Sequence, residues 1–344
     1  MLSNVIYRLT GAILIPCALI TASCSKEGRQ LNPGSNGKTT NLKDAIGPAG
    51  VEMGAPGKYT KKVVIEATTS SKSGVSGVGL ENEAILDSLY RQYQTLTPQK
   101  LIPALFHMND QFDIGAVDLV RPDGWVPVVN FGKGNPLIIE AIYNRLGCVL
   151  EKQTLLQFPG TFSIQYAKDK VEKALSKPAI LGLALRTSID AGSNSLNVKV
   201  RVGMAQDLKV PKAKIAVYLI QDVIVPAQPN PYSRKAGKID ESRFASGSPM
   251  HWLREAPPTI SNYRSGNVVR ELLMEGVVGE IPAEYKIKGA VYTADTGVEL
   301  SKYTNDPARP LQVVAVVYGE DDKGNVVDTY NAQMVRAGKI QEFD

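Results

Sequence analysis

Two histidines and three cysteines are all that this 344-residue chain offers for thiol chemistry, imidazole or thiolate ligation of a metal, or an unperturbed proton donor near neutral pH. His107 and His251 stand far apart, and neither has a second His or a Cys at the short spacings of a metal site. A lone histidine closing an apolar run, as His107 does after Leu101 to Phe106, reads as a hydrogen-bonded structural residue rather than a base. There is no nucleophile elbow, no zincin motif, no phosphate-binding glycine loop and no Ca²⁺ loop. Gly77-Val78-Gly79 lacks a third glycine and reads as loop. Lys and Arg total 39 against 34 Asp and Glu, and the excess of +5 is scattered, so nothing in the charge calls for nucleic acid. No cofactor and no metal are expected.

The cysteines divide by position. Arg8 precedes an apolar run from Leu9 to Ile20, which ends in Thr21-Ala22-Ser23 before Cys24. A dozen apolar residues interrupted by Pro16 fall short of the ~20 that cross a bilayer, and the layout is that of a signal peptide over residues 1–23. The Cys after small residues resembles the lipobox of bacterial lipoproteins, with Thr21 where Leu is usual. That resemblance implies an acylated Cys24 as first residue of the mature chain and a membrane held through its acyl chains. Cys17 leaves with the signal, so Cys148 stands alone in the folded part and no internal disulfide is expected.

Residues 24–60 are rich in Gly, Pro, Ser and Asn without a hydrophobic period and read as a flexible tether, the alternative being an ordered arm packed on the body through Val51 and Met53. From 61 to 177 the pattern alternates between strand and helix: Val63-Val64-Ile65, then Ile85, Leu86, Leu89, Tyr93 and Leu96 at helical spacing, then strands at Leu101 to Phe106 and Leu137 to Tyr143. A last helix carries Tyr166, Val171 and Leu175 and stops before Pro178. This is an α/β layer domain. From 178 to 344 the period becomes two, most plainly where Leu196, Val198, Val200, Val202 and Met204 alternate with Asn197, Lys199, Arg201 and Gly203. Tyr285, Ile287 and Val291 repeat that alternation, and Ile180 to Ile189, Ile215 to Val225, Leu311 to Tyr318 and Val326 to Val335 complete an antiparallel β-sandwich, with one helix expected near Asn267 to Met274.

Glu66-Ala67-Thr68, His107-Met108-Asn109-Asp110, Gly134-Asn135-Pro136, the run Tyr263 to Arg270 containing Asn267-Val268-Val269-Arg270, and Asn331-Ala332-Gln333 occur in this order. Together they resemble the outer membrane protein 28-related lipoproteins, from about Lys61 to the C-terminus. The resemblance implies a thioredoxin-like α/β domain followed by an immunoglobulin-like antiparallel β-sandwich, in the outer membrane of a Gram-negative cell. It also implies a Cys-x-x-Cys site that this chain has lost: Ser73 and Ser76 stand at the thiol positions, with Pro136 opposite or Val126-Pro127 as the alternative. Hydroxyls cannot exchange disulfides. What remains there is a vestigial site in which Glu66 beside the two serines either binds a small polar ligand or is filled by packing and water.

The long connection from Pro226 to Tyr263 holds six prolines together with Tyr232, Arg234, Phe244, His251 and Trp252. Loops of this length are uncommon unless functional, and Tyr, Trp and Arg supply binding hot spots. Tyr232, Arg234, His251, Trp252 and Tyr263 are therefore the candidate partner-binding residues, with fastening of the loop over the junction between the domains as the competing role. The expected function is a non-enzymatic envelope lipoprotein of the outer membrane that binds a protein or glycan, as an adhesin or assembly subunit. The alternative is a thioredoxin-like oxidoreductase or chaperone relic of the periplasm.

Overall fold

A computed structural model describes residues 50–69, 71, 76–95, 99–107, 111–112, 114, 142–143, 164–235, 244, 246–248, 250–274, 278–304, 306–324 and 326–344. The elements run in chain order as β1 (Glu52–Met53), β2 (Val63–Thr69), α1 (Ser76–Gln94), β3 (Leu101–His107), β4 (Ile142–Tyr143), α2 (Ile164–Leu175), β5 (Leu181–Asp190), β6 (Ser195–Met204) and β7 (Lys212–Pro229). They continue as α3 (His251–Glu255), β8 (Thr259–Met274), β9 (Glu280–Ile281), β10 (Ala290–Glu299), β11 (Gln312–Glu320), β12 (Val326–Arg336) and β13 (Ile340–Gln341).

The small sheet has the order β1-β10-β6-β5-β13, and all its pairings are antiparallel. In β6 the apolar set Leu196, Val198, Val200 and Val202 is buried while Asn197 and Lys199 face solvent, as the two-residue period requires. The large sheet runs β12-β11-β7-β8-β3-β2-β4, with β9 on β7. Val313, Ala315 and Val317 of β11 join Ile215, Val217 and Leu219 of β7 in the core between the sheets, and Val314, Val316 and Tyr318 are buried on the opposite face.

One sheet thus spans both periodicities. Strands β2 and β3 are parallel, joined through α1, and β3 lies parallel to β8 at Leu105↔Val268. That contact is made beyond Pro103, which has no N–H to give to a ladder. Strands β7 and β8 are long enough to serve two cores: Leu219 packs between the sheets, whereas Val223, Val225 and Val268 pack with Ile85, Leu89, Leu101 and Leu105 under α1.

Five expectations need correction. Residues 267–274 form a strand rather than a helix: β8 pairs with β7 through three register shifts, and Asn267 takes a left-handed φ of 55°. Each bulge resets the two-residue alternation, so Val268, Val269, Leu272 and Leu273 fall into spacings that imitate a helix. The expected strand through Tyr285 and Ile287 begins only at Ala290; Ala283–Tyr285 is a 3₁₀ turn after Pro282, held as Lys288 N–H donates to Asp207 Oδ1 at 2.9 Å. Gly77-Val78-Gly79 lies inside α1 rather than in a loop. The connection between β7 and β8 is shorter than Pro226–Tyr263, because β7 runs to Pro229 and β8 starts at Thr259.

The tether is also shorter than residues 24–60. Val51 is buried, β1 pairs with β10, and the Tyr59 ring lies on two glycines of the small sheet. A Cβ on Gly182 would stand 2.1 Å from Tyr59 Cδ1, and one on Gly203 2.2 Å from its hydroxyl. Burial pushes the Tyr59 phenol up to about 12, and its buried hydroxyl has no hydrogen-bond partner among the described residues. Gly182→Ala should therefore cost about 1–3 kcal/mol by overpacking and expose residues 54–60 to protease. Tyr59→Phe, which removes an unpaired buried hydroxyl, should leave the melting temperature unchanged or raised. Limited proteolysis and thermal melts check both.

Candidate binding groove

Helix α1 buries Leu80, Ala84, Ile85, Leu86, Leu89 and Tyr93, and on the same buried surface it places a carboxylate, Glu83. Glu83 Oε1 accepts from Thr69 Oγ1 at 2.8 Å, and Oε2 accepts from Ser265 Oγ at 2.9 Å and from Tyr263 OH at 3.0 Å. Thr69 is the last residue of β2, while Tyr263 and Ser265 come from β8. His107, the last residue of β3, brings Nε2 to 3.2 Å from Ser265 Oγ. Ser265 has one proton and spends it on Glu83, so His107 must present Nε2–H to the serine oxygen. Burial raises the Glu83 carboxyl above its ordinary range, against the pull of His107 and the three hydroxyls. Burial, with the Glu83 charge beside it, raises the Tyr263 phenol well above its ordinary range.

Ser265, His107 and Glu83 have the composition of a nucleophilic triad but not its wiring. In a triad the histidine stands between serine and carboxylate and accepts the serine proton. Here the carboxylate accepts it directly, the histidine donates, and Ser265 is fully buried. The chemistry this set performs is to satisfy polar groups at the ends of β2 and β3 and to fix α1 on β8.

Above the network lies an open groove of about 880 Å³, walled by α1 on one side and by the bulge of β8 on the other. Gly266 and Asn267 together face Asp222 of β7, between the pairs Gln221↔Val268 and Val223↔Ser265. Asp222 stabilises that bulge: its Oδ1 accepts Asn267 N–H at 2.8 Å, and its Oδ2 accepts Arg264 Nε and Nη2 at 3.0 and 2.6 Å. Asp87 and Arg91 pair across one turn of α1 at 2.7 Å on the facing wall. Trp252 stands at the groove with its ring nearly parallel to Tyr263, 13° apart and 6.2 Å between centroids.

Of the five candidate binding residues, Trp252 and Tyr263 meet in this groove. Tyr232 packs on Phe244 at 4.9 Å, and together with Met250 and Leu253 they lie on Leu80 and Ala84 of α1. His251 Nδ1 is 2.8 Å from the Phe244 carbonyl, and Arg234 pairs with Glu255 at 3.1 Å at the surface. Tyr232 thus fastens the connection to α1, while His251 and Arg234 tie the connection to itself. Ser76 opens α1; Cys24, Ser73, Pro136 and Cys148 lie outside the described residues. Glu66 is fully buried and accepts from Tyr218 OH, so it is held inside the sheet rather than offered to a ligand.

Glu83, Asp222 and Arg264 were not singled out by sequence. A signal existed for the first: Leu80, Glu83 and Ala84 share a helix face at i, i+3 and i+4, and an acid on an otherwise apolar face asks for partners. The Asn267–Arg270 run has a structural account. Asn267 makes the bulge, Val268 joins β3 to β8, Val269 packs on the other face, and Arg270 Nη1 donates to the buried Gln221 side chain at 3.3 Å.

No curated protein sequence matches the chain. Among solved structures, HBP35 of Porphyromonas gingivalis is similar with a TM-score of 0.49 and 16% identity, covering 83% of this chain and 77% of that one. A protein from Agrobacterium tumefaciens follows at 0.37 and 11% identity, covering 83% and 99%. A domain of the outer membrane lipoprotein Omp28 from Porphyromonas gingivalis gives 0.25 and 14% identity, covering 46% and 89%. No helix among the described residues is long and apolar enough to cross a membrane. Residues 159–338, more than half of the chain and including every strand from β5 to β12, match the outer membrane protein Omp28 family, and the chain belongs to that family of outer membrane proteins.

Proposed function

We propose that this protein is a non-enzymatic lipoprotein, held at the outer membrane by an acylated Cys24, that binds an extended protein or glycan partner in the groove between α1 and β8. In this reading the β2–α1–β3 unit is a thioredoxin-like element without redox chemistry, and the two sheets form an immunoglobulin-like sandwich that carries it. The observation behind the reading is the groove itself. Its volume of about 880 Å³ lies within the ~300–1,000 Å³ usual for binding sites, and Trp252, a hot-spot residue type, is 40% exposed at it. The polar network beneath is buried and fully engaged in holding the walls.

Pull-down from detergent-solubilised outer membranes tests this. Lipidated wild type should retain a component that Trp252→Ala and Arg91→Glu lose together. Equal retention by wild type and both variants would assign the contact to another surface. Anchoring is tested separately: Cys24→Ser should move the protein from the membrane pellet to the soluble fraction, because multiple acyl chains hold stably where none does not. A variant that still sediments with membranes, or wild type that takes up no radiolabelled palmitate, contradicts the anchor.

A further inference from the structure

Resting on that groove reading, we propose that the occupant is a neutral saccharide chain, seated with one sugar ring against Trp252. The first argument is charge. The surface charges on the walls are matched in pairs, Asp87 with Arg91 and Asp222 with Arg264, at 2.7 and 2.6 Å, while Glu83, the one other acidic lining residue, is buried and takes up the hydroxyls of Thr69, Ser265 and Tyr263. The two surface cations are thus cancelled by their two carboxylate partners, and the groove has no positive excess to collect a phosphate or polyanion.

The second argument is the hydrogen-bonding geometry these pairs leave over. A guanidinium has five N–H donors and a carboxylate about four acceptor sites, more than either ion pair consumes. Each pair is thus a fork offering donors and acceptors side by side. Adjacent hydroxyls of a sugar, each both donor and acceptor, match such a fork.

Trp252 supplies the third argument. Among the described residues the large exposed apolar side chains are Ile189, Val278, Val327, Ile340 and Trp252, of which Trp252 alone is aromatic and alone lines the groove. A flat ring with a negative face attracts the weakly positive C–H groups on one side of a pyranose. Tyr263, nearly parallel to it and tied to Glu83, fixes the orientation of that platform. A protein anchor would instead seek a dry apolar pocket, and this aromatic stands beside a polar trough.

The test uses the mature full-length protein in detergent and a panel of uncharged hexasaccharides of glucose, xylose, mannose and N-acetylglucosamine, with a heparin hexasaccharide as the anionic probe. Binding is read by calorimetry and by Trp252 fluorescence in a Trp125→Phe background. At least one neutral oligosaccharide should bind with Kd on the order of 0.1–1 mM and shift the emission, and heparin should not. Trp252→Ala should weaken binding by about tenfold or more, and Trp252→Phe should restore most of it with an unchanged melting temperature. Heparin binding alone, or no neutral oligosaccharide bound across the panel, overturns the proposal. If the pull-down component is retained through the groove but persists after periodate oxidation of its glycans, the groove reading stands and the saccharide inference fails. If retention ignores the groove variants, both fail.

Discussion

Replacing Glu83 by alanine should lower the unfolding free energy by about 3–5 kcal/mol, because it leaves the hydroxyls of Thr69, Ser265 and Tyr263 without their acceptor. An unpaired buried polar group costs about 1–3 kcal/mol, and Thr69 and Ser265 are almost wholly inside. Glu83→Gln keeps the shape and one acceptor, and the serine and threonine hydroxyls can turn to accept from the new amide, so its cost should be less than half. The pH dependence separates charge from shape. The folded-state pKa of Glu83 is raised above its ordinary 4.5 by burial, so between 4.5 and that higher value the folded chain keeps a proton the unfolded chain has lost. The contribution of Glu83 to stability is then complete below 4.5 and declines as pH rises through the folded pKa. Glu83→Gln lacks this titration, so the gap between wild type and Gln should narrow as pH rises above 4.5. Urea unfolding across that range measures it. A gap that widens with pH contradicts the assignment.

Asn331→Leu should be the other large loss, about 3–4 kcal/mol for a change that keeps the branching of the side chain and removes all its polar atoms. The Asn331 side chain uses its full hydrogen-bonding capacity. Its Oδ1 accepts from Lys62 N–H at 2.8 Å and Ala332 N–H at 3.0 Å, and its Nδ2 donates to the carbonyls of Thr60 at 3.0 Å and Leu181 at 2.9 Å. One side chain on β12 thus clamps the segment entering β2 to the start of β5. Gln333 extends the clamp by accepting from Lys62 Nζ at 2.7 Å, and Asp344 pairs with the same ammonium at 2.6 Å. Leucine would leave the Lys62 N–H and the Thr60 and Leu181 carbonyls without this partner in the interior. Hydrogen exchange should show β2 and the first residues of β5 opening together. Loss confined to β12, or a cost below about 1 kcal/mol, would mean that the clamp is incidental.

How far the sequence could be read follows from where its information is local. The alternation in β6 and the apolar stripe of α1 are set by neighbours a few residues apart, and both elements lie where periodicity puts them. The turn between β11 and β12 is equally local, with Lys323 N–H donating to Asp321 Oδ1 and Gly324 at a φ of 86°. What escaped depends on partners distant in the chain. Strand β8 looked helical because its bulges answer to β7. The Glu83 network draws on positions 69, 83, 107, 263 and 265, and nothing near any one of them announces the others. The motif residues Asn267-Val268-Val269-Arg270 and Asn331-Ala332-Gln333 marked the right places. Their work is to join strands and clamp segments, and the groove proposed for binding lies beside the first of them.

The central claim, that the groove between α1 and β8 is where this outer membrane protein meets its partner, is tested most directly by photo-crosslinking in living cells. A benzophenone amino acid would replace Tyr90, which lines the groove, and in a separate strain Lys199, exposed on the outer side of the small sheet. Illumination should give a discrete high-mass adduct from position 90 that Arg91→Glu abolishes, with none from position 199. An adduct from position 199 and none from position 90 would contradict the account.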